Sequence, residues 1–154
     1  MSRVLKHSKY PVIGFMVLLL VMLLTGCEEQ LPTAKIGTPA PAFSLNRLDG
    51  TTIQFPEHYR DKIVAIRFWA DWCPFCKSFL TIFESAVVKR AEPLGALANI
   101  SDESNPLWET FKVDIVPTLV GFREGLVIVR KDGVAGMGLG MRELKDALRK
   151  MEKR

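Results

Sequence analysis

An α/β sandwich built around a mixed sheet is the fold class this sequence predicts, and three features predict it. Residues 62–69 are apolar on both faces except for Arg67, the pattern of a central strand covered from either side. Phe75, Phe79, Ile82, Phe83, Ala86 and Val87 then recur at helical spacing, which predicts an amphipathic helix over 74–90. Strands and helices alternate through the rest of the chain instead of clustering by type, as they do when helices cover a sheet.

Before the first strand lies an address. Residues 1–26 hold Arg3, Lys6 and Lys9 and no acidic residue, and an apolar run fills positions 11–24. That run is shorter than the roughly 20 residues a helix needs to cross a bilayer. A basic start, a short apolar run and then small residues read as an export signal. Leu24-Thr25-Gly26-Cys27 resembles the lipobox of bacterial lipoproteins, which implies lipidation of Cys27 and anchoring by acyl chains at the periplasmic or other extracytoplasmic face of a bacterial membrane. The expected organisation is a lipoprotein signal peptide over 1–26, a lipid-anchored tether over 27–36 and a folded domain over 37–154. From Cys27 to Lys35 an extended chain reaches under ~30 Å, so the domain stays near its membrane.

The address also explains the charge. The chain carries 21 Lys+Arg against 17 Asp+Glu, a formal net charge of +4. Without the three basic residues of the first segment, 18 basic residues face the same 17 acidic ones. The basic residues near the C-terminus alternate with Glu143, Asp146 and Glu152. No nucleic-acid partner is expected from such a balance.

In the folded part, extended stretches over 42–45 and 52–55 flank Asn46-Arg47-Leu48-Asp49-Gly50, a hairpin signal. After the central strand and the amphipathic helix, a second strand follows over 94–100. Asn105-Pro106 then opens a short helix to about Phe111. Strands over 116–122 and 126–130 are joined by the turn Arg123-Glu124-Gly125, and Met141, Leu144, Leu148 and Met151 stripe a final helix.

The chemistry concentrates in Trp72-Cys73-Pro74-Phe75-Cys76, between the buried strand and the helix. Two cysteines three apart on a helical turn lie about 5 Å apart at Cα, within reach of a disulfide. Cys73 would face the free N–H groups and the positive end of the helix dipole, which favour thiolate, and Cys76 would be shielded one turn in. Other uses of the pair fit poorly. Zinc needs about four ligands, and beyond Cys27 the candidates are His7, in the export segment, and the isolated His58. A c-type haem site would need His where Lys77 stands. A bridge closing only two intervening residues constrains little chain entropy, so a structural purpose is weak. A redox-active dithiol/disulfide pair, with no metal and no separate cofactor, is expected.

The segment Phe68-Trp69-Ala70-Asp71-Trp72-Cys73-Pro74-Phe75-Cys76-Lys77 resembles the thioredoxin superfamily. Val113-Asp114-Ile115-Val116-Pro117-Thr118, followed by Glu124-Gly125, is similar to that superfamily's cis-proline loop and hairpin. Gly37-x-Pro39-Ala40-Pro41-x-Phe43-x-Leu45 resembles the opening of membrane-tethered TlpA-like oxidoreductases. The resemblance implies a thioredoxin fold, a central mixed sheet flanked by helices with a short N-terminal hairpin extension. It also implies a cis Val116–Pro117 bond beside the cysteines, with Val116 backbone groups pairing an extended substrate. Trp72, Pro74 and Phe75 complete the motif, and Trp72 is expected in a partly exposed docking surface, whereas Trp69 is expected to pack and Trp108 to be filler.

This sequence departs from the family at Arg67, which aligns with a buried Asp. The side chain could stabilise a thiolate or snorkel to the surface; it and Lys77 are candidate tuning residues. The span from Cys76 to Pro117 also leaves no room for the central insertion of many TlpA-like proteins. The expected activity is thiol-disulfide exchange on exported proteins by a monomer, with Cys73 as nucleophile and Cys76 resolving, in the reductive direction. A membrane thiol donor would re-reduce the pair. The alternatives are a DsbA-like dithiol oxidase and a non-catalytic copper- or partner-binding module.

Overall fold

The structure, a computed structural model, describes residues 34–153. The export segment, Cys27 and most of the tether therefore lie outside the described residues. Six strands, β1 (Phe43–Arg47), β2 (Thr52–Phe55), β3 (Ile63–Trp69), β4 (Leu94–Asn99), β5 (Thr118–Arg123) and β6 (Leu126–Asp132), form one sheet in the order β2-β1-β4-β3-β5-β6. Three α-helices accompany them: α1 (Pro74–Val87), α2 (Leu107–Thr110) and α3 (Met141–Glu152), with a 3-10 turn over Glu57–Tyr59. Strands β3 and β4 run parallel through the crossover that carries α1, and the other pairings are antiparallel. This is the thioredoxin fold, with the β1–β2 hairpin added at one edge.

Alternation along β3 divides its side chains between two apolar layers. Val64, Ile66 and Phe68 join a cluster with Leu45, Phe55, Phe111, Val120 and Phe122. Ala65 faces the other way, with Phe79, Phe83 and Val87 of α1 and Leu144, Ala147, Leu148 and Met151 of α3. Rings interlock in the first layer, with Phe68–Phe111 and Phe55–Phe122 centroids each 4.7 Å apart. Both faces of β3 are thus covered, as its apolar composition requires.

Several boundaries differ from the sequence reading for identifiable reasons. α1 stops at Val87, where the apolar spacing stops, and not at residue 90. β5 begins at Thr118 and not at residue 116, since Pro117 has no N–H for the ladder. β6 runs two residues further than expected, because Lys131 and Asp132 pair with Leu119 and Thr118. Those charged residues sit on an edge strand, where polarity does not oppose pairing.

Candidate active site

The cysteines sit where β3 hands the chain to α1. Cys73 is the N-cap of α1, with extended backbone, and Pro74 occupies the first turn, where a missing N–H costs nothing. The Cys73 sulfur accepts a hydrogen bond from the Cys76 N–H at 3.1 Å, the role a Ser or Asp side chain plays at an ordinary cap. Its thiol donates to the Val116 carbonyl at 3.3 Å. Both cysteines are free thiols, Cys73 3% exposed and Cys76 fully buried. Burial, followed by the hydrogen bond with the Cys73 side chain, pushes the Cys76 thiol up to about 12.

The loop before β5 closes over the pair. Val116–Pro117 is cis, Val116 is buried, and its carbonyl faces Cys73. Thr118 Oγ1 fixes the start of β5 by donating to the Ile115 carbonyl at 2.7 Å and to Asp132 at 3.1 Å. Beyond β6 the loop Gly133–Gly140 packs onto the same place. A Cβ at Gly138 would stand 2.6 Å from Phe75 Cβ, and Gly138 has φ +69, so this position requires glycine for both space and conformation.

Around the pair lies an apolar rim. Trp72 is 59% exposed, with Phe75, Val134 and Met137 also exposed. The Trp72 indole stacks on Trp108 at 6.3 Å between centroids and 8° between planes, and its N–H donates to the Ser101 carbonyl at 3.2 Å. The Trp108 N–H in turn donates to the Asp102 carbonyl. Trp108 is therefore the platform that holds Trp72, a role sequence spacing did not reveal. The loop carrying Val134 and Met137 was also missed, although four glycines between 133 and 140 signal a tight excursion there. Lys77 lies exposed on α1, and Trp69 packs against the core as expected.

Arg67 does not snorkel. It is 1% exposed, and its Nη2 donates to the Cys76 carbonyl at 2.6 Å. Its Cζ lies 5.4 Å from the Trp69 ring centroid. Nε and Nη1 have no partner.

A pair of thiols at a helix start, Cys76 fully buried and Cys73 held against a cis-proline loop, defines a dithiol/disulfide exchange site. The thioredoxin family profile matches residues 50–148. The chain belongs to the thioredoxin family, as a protein-disulfide oxidoreductase with Cys73 and Cys76 as its CxxC pair. It is 34% identical to thioredoxin from Mycobacterium tuberculosis over 89 residues, 57% of this chain and 76% of that protein. It is also 32% identical to thioredoxin H5 of Arabidopsis thaliana over 74 residues, 48% of this chain and 62% of that one. Among solved structures it resembles the pneumococcal exposed lipoprotein thioredoxin of Streptococcus pneumoniae, with TM-score 0.53, 20% identity, and 70% and 98% of the two chains covered. A thiol:disulfide interchange protein from Bacteroides superposes with TM-score 0.55 at 14% identity, covering 76% and 90%. At such identities these two likenesses concern the fold.

Proposed function

We propose that this protein is an exported, lipid-anchored reductase of disulfides in other exported proteins. The observation that carries the reading is the vertical arrangement of the pair, Cys73 at the helix cap against the Val116 carbonyl and Cys76 buried below it. A substrate disulfide approaches along the rim formed by Trp72, Phe75 and the cis-proline loop. The Cys73 thiolate attacks one substrate sulfur, forming a mixed disulfide and releasing the other sulfur as a thiolate. Cys76 then attacks the Cys73 sulfur. The intramolecular disulfide forms, the second substrate sulfur leaves, and two electrons have passed to the substrate. A membrane thiol donor returns them.

Two features favour the reductive direction. A Cys76 thiol held up near 12 by burial gains little from being released as thiolate, which leaves the disulfide the favoured state of the pair. The Pro-Phe dipeptide also lacks the His of strongly oxidising Pro-His sites. The exported location rests on Leu24-Thr25-Gly26-Cys27, and the TlpA-like opening over residues 37–45 agrees with it. The name of the fold's pneumococcal neighbour, an exposed lipoprotein thioredoxin, points the same way.

The test is the equilibrium reduction potential of Cys73–Cys76 in a soluble form beginning at Glu28, followed by Trp72 fluorescence in a thiol redox buffer. A potential near or below about −230 mV is expected, within the reach of glutaredoxin- and thioredoxin-like reductants. A potential of about −120 to −150 mV would make the protein a dithiol oxidase instead. Tight stoichiometric binding of Cu(I) to the reduced pair, without disulfide exchange, would make it a metal carrier.

A further inference from the structure

Arg67 is a buried cation without a counter-ion. Among the described residues no carboxylate forms an ion pair with it, and two of its N–H-bearing nitrogens have no acceptor. Its flanking partners in the sheet are Leu97 on β4 and Leu119 on β5, neither of which carries charge. A guanidinium stays protonated under such conditions, and a buried charge with unpaired donors is costly. Burial disfavours the Arg67 cation, whereas negative charge at Cys76, Cys73 and Glu84 favours it. The other titratable groups nearby are otherwise placed. Asp71, in the loop before α1, is exposed, and Asp132 on β6 is held by Arg130 and Thr118.

The side chain is not adrift, since it is tied to the Cys76 carbonyl beneath the first turn of α1. The anion that catalysis creates in that place is a thiolate of the pair. We propose that Arg67 is a positioning residue whose counter-ion is the thiolate of the Cys73–Cys76 pair, so that a fixed buried cation promotes Cys76's attack where, among the described residues, no buried carboxylate stands to accept its proton. In the resolving step the Cys76 thiol releases its proton to solvent, and its sulfur bonds to that of Cys73. The departing substrate thiolate takes a proton back, so no net proton is consumed. Once the disulfide has formed the anion is gone and the cation stands alone again. Arg67 therefore favours the reduced state that carries a thiolate over the disulfide, and it raises the potential to the extent that this thiolate is populated.

The test uses the soluble protein from Glu28 onward and its Arg67→Met and Arg67→Lys variants. Reduced protein is mixed with 5,5′-dithiobis(2-nitrobenzoate). The first thionitrobenzoate released reports attack by Cys73, and the second reports attack by Cys76 on the adduct. In Arg67→Met the second release is expected to slow about tenfold near neutral pH, with its pH profile displaced about one unit upward and the first release affected less. The equilibrium with glutathione should move about tenfold toward the disulfide, or about 30 mV more reducing. Arg67→Lys should recover part of both effects. A second-release profile unchanged in Arg67→Met would overturn the proposal, as would a loss that Arg67→Lys shares in full. Should Arg67→Met fail to fold, side-chain nitrogen NMR of the native protein decides. The Arg67 resonances should shift with the same pH midpoint as thiolate absorbance near 240 nm, and only in the reduced state. If they do not follow the thiolate, the proposal is wrong.

Discussion

Cys73 and Cys76 share one helical turn and one apolar cluster but make different hydrogen bonds, and in the proposed mechanism that difference divides their roles. Cys73 caps the helix, with its sulfur already accepting one backbone N–H. Cys76 is fully buried, where its charged form is disfavoured and its thiol is pushed up to about 12 from the ordinary thiol value of 9.0. The sign of the consequence follows by linkage. Between those two values the folded reduced protein keeps a proton that the unfolded chain releases, so stability is full below about pH 9 and falls as pH rises above it. Urea unfolding under reducing conditions should therefore show the native protein losing stability relative to Cys76→Ala between pH 8 and pH 10.5. Parallel curves would mean that Cys76 is not held as a thiol. Replacing the proposed nucleophile is harsher: Cys73→Ser should bring insulin reduction to background, and Cys76→Ser should accumulate a mixed disulfide through Cys73, visible by mass spectrometry.

At the scale of elements, the site depends on α1 being fixed against the sheet by Phe79, Phe83 and Val87, all buried. Beside it, α3 lies over Gly121 of β5. A Cβ there would stand 2.4 Å from Met151 Cε and 2.5 Å from Val129 Cγ1. Methionine can swing aside, but a β-branched valine in a neighbouring strand has little freedom. Gly121→Ala should accordingly cost about 1–3 kcal/mol through overpacking, read as a fall of several degrees in melting temperature with exchange activity intact below the transition. The N-terminus of α3 is held more lightly, by Glu143 accepting the Gly140 N–H at 3.2 Å. That contact is half of a capping box, since glycine has no side chain to return.

Over the whole molecule, one end of the sheet carries the pair, the cis-proline loop and the apolar rim. Trp72 stacked on Trp108 presents the largest exposed ring in that rim. Large aromatic anchors dominate protein docking, whereas a small aromatic disulfide needs only to reach the sulfur. Trp72→Ala should lower kcat/KM for a protein disulfide about tenfold, roughly the 1.4 kcal/mol of one anchor, and lower it much less for 5,5′-dithiobis(2-nitrobenzoate). Equal losses with both would place Trp72 in the chemistry and not in docking. The proposed lipid anchor is tested separately. Cys27→Ser in the full chain should move the protein from the membrane fraction to the soluble exported fraction.

Local pattern was enough for much of this protein. The alternation and spacing of apolar residues gave β3 and α1 to within a few positions, because one strand buried on both faces and one helix buried on one face leave unmistakable periodicities. The spacing of Cys73 and Cys76, placed between those two elements, named the chemistry. Tertiary structure decided what depends on neighbours far apart in sequence. Only the closing of the 116–118 loop puts the Val116 carbonyl against Cys73, and only the return of α2 brings Trp108 beneath Trp72, 36 positions after it. The fate of Arg67 was also undecidable locally, since the same side chain on a strand can reach water or be sealed. The covering layer of α1 sealed it, leaving a cation tied to the Cys76 carbonyl where a sequence pattern shows only an interrupted strand.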